Sequence, residues 1–129
     1  MKDELGKPAK TIDLKTRTQD FALRIIHLYS ALPRTTVSRT LGNQALRAGT
    51  SIGAHYREAT RSRSNAEFIS KIELGIQELD ETIYWLELIV RAEIFPAQKL
   101  SPLISEANEL IAIMTACAKN AKLHKNTKT

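Results

Sequence analysis

Several common scaffolds are excluded by what the chain has little of. One cysteine, Cys117, stands among 129 residues, so no intramolecular disulfide can form, and this usage fits a reducing compartment. Aromatic residues make up only 5%, with five glycines and four prolines. Leu, Ile, Ala, Glu, Lys and Arg are abundant instead, a composition that favours helices. The opening MKDELGKPAKTIDLK holds no apolar run of the kind a secretory signal needs. Charges interrupt every apolar segment well short of a membrane span. The expectation is a soluble, cytoplasmic protein of one domain, long enough for a single core.

The net charge of +5 is unevenly distributed. Residues 1–17 carry +2, residues 18–63 carry +5, residues 64–95 carry −5 and residues 96–129 carry +3. A basic segment is thus followed by an acidic one. Such a split serves self-association, when unlike faces of two copies meet, or leaves a basic surface for an anionic partner, or belongs to ordinary solvated faces.

Apolar spacing of three and four places four amphipathic helices along the chain. Residues 1–17 read as a flexible basic arm. The first helix is expected from Thr18 to Leu32, stopped by Pro33, with Phe21, Ile25, Leu28, Tyr29 and Leu32 inward and His27 outward. The second is expected over Thr36–Thr60, with Val37, Leu41, Ala45, Ala48, Ile52, Tyr56 and Ala59 inward. Gly42, Gly49 and Gly53 lie close to one side of it, where they would let another backbone approach, within the bundle or between subunits. Ser64-Asn65-Ala66-Glu67 is a capping box opening the third helix: Ser64 Oγ accepts the Glu67 amide, and the Glu67 carboxylate reaches back to the Ser64 amide.

That third helix, expected over Asn65–Ala92 and roughly 40 Å long at 1.5 Å per residue, carries Phe68, Ile72, Gly75, Leu79, Ile83, Leu86 and Val90 on its stripe. Ile69, Ile76, Tyr84, Trp85, Leu88 and Ile89 widen the apolar arc beyond the needs of a small bundle, which points to self-association. The fourth helix starts either at Pro96 or at Pro102, where Ser101 would cap it. It ends near Leu123, before a frayed basic tail over 124–129. Short turns between four such helices imply an all-α, antiparallel up-down-up-down four-helix bundle over residues 18–123.

No catalytic constellation emerges. His27, His55 and His124 lie in separate segments, and His55-Tyr56-Arg57-Glu58 lacks the paired Glu-x-x-His arrangement of di-iron bundles, so no metal or other cofactor is expected. Cys117 reads as a small apolar residue in or near the core. Glu78 and Glu81 share a face three residues apart and suit ion pairs with the second helix. The arginines are the remaining candidates: Arg39 and Arg47 near one line with Asn43 between them, Arg57 and Arg61 four apart, and Arg63 in the turn. A guanidinium fork suits phosphate. No recognition-helix or aromatic-interleaved pattern accompanies them, and a solvated face or a row of intersubunit ion pairs reads equally well.

Three runs together carry a resemblance: Arg47-x-x-Thr50-Ser51-Ile52-Gly53-Ala54-x-Tyr56-Arg57-Glu58-Ala59, then Arg63-Ser64-x-Ala66-Glu67-Phe68-Ile69-x-Lys71, then Glu78-x-Asp80-Glu81-Thr82-x-Tyr84-Trp85-Leu86-Glu87-Leu88. Over roughly residues 18–122 the chain resembles the four-helix-bundle proteins related to rRNA intervening-sequence proteins, and more distantly the accessory protein of diversity-generating retroelements. The resemblance implies a left-handed bundle, assembly into a ring (typically a homopentamer), no enzymatic activity, and association with nucleic acid or a ribonucleoprotein. A protein partner such as a reverse transcriptase is implied by the distant relative. Ser51, Arg57, Glu58, Ser64, Glu67 and Phe68 match the motif as determinants of fold and assembly. The expected function is a non-enzymatic, ring-forming bundle binding nucleic acid, RNA favoured, through Arg39, Arg47, Arg57, Arg61 and Arg63. The alternative is a protein–protein adaptor whose basic residues serve oligomerisation.

Overall fold

The computed structural model of the chain describes residues 13–127. Most of the expected arm, residues 1–12, lies outside the described residues, as do 128 and 129 of the tail. Four helices account for nearly all the rest: α1 Leu14–Ala31, α2 Thr36–Thr60, α3 Asn65–Arg91 and α4 Ala97–Thr127. The class is all-α.

Helix α1 begins four residues before the expected Thr18. The Asp13 carboxylate accepts the Thr16 amide at 2.9 Å and caps the helix, and this bond holds the carboxyl below its ordinary pKa. Leu14 and Thr18 then continue the buried stripe of Phe21, Ile25 and Leu28 one turn back, Thr18 Oγ1 donating to the Leu14 carbonyl at 2.7 Å. Before Pro33, the Leu32 amide closes the helix on the Leu28 and Tyr29 carbonyls.

Helix α2 has the expected bounds, capped by Thr35 Oγ1 on the Ser38 amide at 3.1 Å. Its first inward residue is Ser38, not Val37, which is 58% exposed: the capping turn rotates position 37 away from the core. The glycines do admit a neighbour, and that neighbour is α1. A Cβ built on Gly49 would stand 2.7 Å from Ile25 Cγ1, and one on Gly42 would meet Leu32 and Tyr29.

Helix α3 opens on the expected cap, Ser64 Oγ accepting the Glu67 amide at 3.1 Å. The return bond differs by one residue, since Glu67 Oε1 accepts the Arg63 amide at 2.9 Å. The buried stripe also shifts by one at three positions. Ile69, Thr82 and Ile89 are buried where Phe68, Ile83 and Val90 were expected, and those three are half-buried instead. An arc apolar on both flanks leaves this choice to packing, and Thr82 joins the core by donating its hydroxyl to the Glu78 carbonyl. Glu93 turns the chain at φ 59°, a left-handed position that more often falls to glycine.

Helix α4 starts after Pro96, whose carbonyl accepts the Lys99 amide at 3.1 Å. Ser101 and Pro102 are helical, so Ser101 is not a cap. Pro102 withholds one amide, but Gln98, Ser101 and Pro102 are exposed, where water reaches the helix. The helix also runs past Leu123 to Thr127.

Cross-helix pairs fix the directions. Ile25 sits by Gly49 and Thr18 by Gly53, Lys71 meets Glu58, and Asn65 Nδ2 donates to the Ala121 carbonyl at 2.5 Å. Consecutive helices are therefore antiparallel. Helix α1 packs chiefly on α2 and only lightly on α4, where Arg17 bridges Glu106 at 2.8 Å and Glu109 at 2.5 Å. Phe21, Ile52, Ile72, Leu79, Leu86 and Leu110 are fully enclosed at the centre.

Candidate nucleic-acid interface

The outward side of α2 is made by the same rotation that buries its small residues. With Ala45, Ala48, Ile52 and Ala59 inward and Gly49 against α1, positions 39, 43, 47, 50, 54, 57 and 61 are all left exposed. Four of the five arginines expected at a phosphate-contacting surface, Arg39, Arg47, Arg57 and Arg61, thus share one solvent face. Arg63 follows in the turn to α3, also exposed.

They are not equivalent. Arg47 reaches across to α3, where its guanidinium bridges Glu81 and stands 3.7 Å from Glu78. The two glutamates read as ion-pair partners of the second helix do serve there, and they occupy Arg47. Among the described residues, no carboxylate lies within ion-pair distance of Arg39, Arg57, Arg61 or Arg63. Arg57, Arg61 and Arg63 gather at the α2–α3 turn, whereas Arg39 stands at the other end beside Arg34.

One contributor was missed in the sequence. Lys15, assigned to the arm, is helical and lines a cleft of about 240 Å³ between α1 and α2 with Gln19, Thr50 and Arg57. One signal was available, Asp13 as a cap ahead of Leu14.

The seam between α2 and α3 is an ion-pair network. His55 Nδ1 lies 3.4 Å from Glu58 and its Nε2 lies 3.7 Å from Glu78, while Lys71 Nζ is 3.3 Å from Glu58. The Lys71 ammonium, and then the His55 ring, hold the Glu58 carboxyl below its ordinary value of 4.5. A carboxyl lowered in the folded state stabilises the fold above its unfolded pKa, and this contribution fades as pH falls through the folded value. The expected NMR titration of Glu58 therefore has a midpoint below 4.5, rising toward it in Lys71→Met. A midpoint unmoved by that substitution contradicts the assigned cause.

Burial pushes the half-buried Cys117 thiol up, away from the reactive thiolate. Among the described residues, no three His, Cys, Asp or Glu side chains are placed to share a metal ion. No described helix is long and apolar enough to cross a membrane.

Against known proteins, a model of the 23S rRNA-intervening sequence protein family matches residues 10–116. A crystal structure of a protein of unknown function, from the S23 ribosomal protein family of Bacteroides thetaiotaomicron VPI-5482, is 35% identical with a TM-score of 0.77. The match covers 81% of this chain and 97% of that one. No curated protein matches the chain.

Proposed function

This chain belongs to the 23S rRNA-intervening sequence protein family, and from that premise we propose that it is a non-enzymatic bundle that assembles into a ring, a homopentamer, and binds structured RNA or an RNA–protein complex. The observation that carries this reading is the set of exposed arginines with no carboxylate partner among the described residues: Arg39 on α2, and Arg57, Arg61 and Arg63 around its end. Each would contact phosphate without reading a base. One copy offers few contacts, and a ring repeats them, so that weak phosphate interactions add up to substantial binding. Self-association is supported by the apolar side chains left in solvent, Val37 at 58% and Tyr84 at 57% exposure.

A second reading has its own observation. Arg47 already spends its guanidinium on glutamates of α3, so arginines of this face can serve protein ion pairs. In an adaptor, Arg57 and Arg61 would meet the acidic side of a neighbour or of a protein partner such as a reverse transcriptase.

The deciding measurement is fluorescence anisotropy of a labelled structured RNA over a salt series, with native mass recorded on the same sample. The expected affinity falls about a hundredfold or more between about 50 and 200 mM salt, as release of several phosphate counterions requires. An intact oligomer that binds no RNA at low salt sinks the RNA reading and leaves the adaptor.

A further inference from the structure

At the pole of the bundle where α2 turns into α3, a cleft of about 540 Å³ opens beside the end of α4. Its size falls within the roughly 300–1,000 Å³ range of small-molecule sites. Its walls include Ser62, Arg63, Ser64, Asn65, Phe68 and His124. They are held in place: Asn65 Nδ2 is bonded to the Ala121 carbonyl, and Ser62 Oγ donates to the Glu58 carbonyl at 3.1 Å.

Two features make this cleft more than a gap between helix ends. The first concerns Phe68. Ser64 caps α3, so Phe68 occupies the fourth helical position, where an apolar residue usually packs on an apolar partner just ahead of the cap. That partner position holds Arg63. The Phe68 ring therefore lacks its usual cover and remains half-buried on the cleft wall, with no cation over it among the described residues. The second concerns charge. Among the described residues no carboxylate lines the cleft, and the nearby Glu67 is turned onto the Arg63 amide. An aromatic wall, a guanidinium, and hydroxyl and amide groups line it.

We propose that this cleft holds one unpaired nucleotide of the bound RNA, its base laid on the Phe68 ring and its phosphate met by Arg63. A splayed base needs a flat apolar wall and polar groups along its edge, and its phosphate needs a cation; the cleft supplies all three. A fully paired duplex keeps its bases stacked and cannot offer one here. This site rests on the RNA-binding reading and adds a preference that phosphate contacts alone do not give.

The test compares two labelled RNAs of equal length, a hairpin with a fluorescent adenine analogue in its open loop and a fully paired duplex. The wild-type protein is expected to bind the hairpin about tenfold more tightly, the value of one stacked base. The analogue's fluorescence should change on binding. Phe68→Leu, which keeps an apolar side chain at the helix start, brings the hairpin affinity down to that of the duplex and leaves the duplex unaffected. Arg63→Gln, at an exposed position that no packing depends on, weakens the hairpin more than the duplex, so the result does not hang on one variant's folding. Equal wild-type affinity for both RNAs overturns the cleft while the phosphate surface stands. So does wild-type hairpin preference in both variants. Failure of the wild-type protein to bind either RNA at low salt removes the RNA reading itself, and the cleft with it.

Discussion

The Arg57→Glu, Arg61→Glu double variant is expected to bind structured RNA about a thousandfold more weakly than the wild type while keeping its helical circular dichroism. Two charge-assisted contacts at about 1.5–3 kcal/mol each set the scale, and the new carboxylates repel the phosphate backbone. The fold should survive because both side chains are exposed and neither is in an ion pair among the described residues. The salt slope should also become shallower, by nearly one for each phosphate that the variant no longer neutralises. Unchanged affinity and slope would remove this end of α2 from the interface. A variant that loses oligomer mass, from a protein that never bound RNA, would favour the adaptor. The corresponding change at Arg47 is a poor probe, because it would set a carboxylate against Glu78 and Glu81 and disturb the seam.

Filling the contact between α1 and α2 should have the largest effect on stability. Gly49→Leu is expected to cost about 3 kcal/mol, on the order of a 10 °C fall in Tm at equal protein concentration. The first added carbon alone would meet Ile25 at three atoms, 2.7, 3.1 and 3.3 Å away. A β-branched side chain in a helix has one dominant rotamer, so Ile25 cannot swing aside and the helices must separate. Gly75 is the contrast. A Cβ there meets the terminal methyl of Met114 at 2.6 Å, and a flexible thioether can move. Alanine also gains about 1 kcal/mol of helix propensity, so Gly75→Ala should stay within about 1 kcal/mol of wild type. Chemical denaturation of both variants checks the pair. Wild-type stability in Gly49→Leu would mean that the two helices are not in the close contact described.

The helices were legible in the sequence because each carries its own signals: Pro33 after α1, the Ser64–Glu67 cap at α3, and apolar residues every three or four positions. The rotation of each helix was less so. Val37 looked like the start of a stripe, yet Thr35 and Ser38 set the turn, and α3 is apolar over too wide an arc for spacing to choose between Phe68 and Ile69. The start of α4 was undecided because Pro96 and Ser101-Pro102 both mark helix beginnings, and a proline near an exposed helix start is tolerated. For the candidate surface, the sequence placed Arg39, Arg47, Arg57 and Arg61 on α2 but could not show which were already engaged. Arg47 differs from Arg57 only in what stands opposite, which is a property of the α2–α3 register. Family membership came from the combined motif, since no single residue carries a recognisable chemistry.

The α2–α3 seam also bears on how quickly an anionic partner arrives. Opposite charges that pair across the seam cancel each other's field within a few ångströms, so Arg47 with Glu81 and Lys71 with Glu58 contribute little at long range. The arginines at the α2–α3 turn, which meet no carboxylate among the described residues, are left as a source of positive potential at one pole of the bundle. A polyanion diffusing toward the protein would be turned to approach that pole, and would need less random searching for a productive orientation. The paired charges of the seam thus sharpen the direction of encounter, by silencing the side of the molecule where a collision leads nowhere.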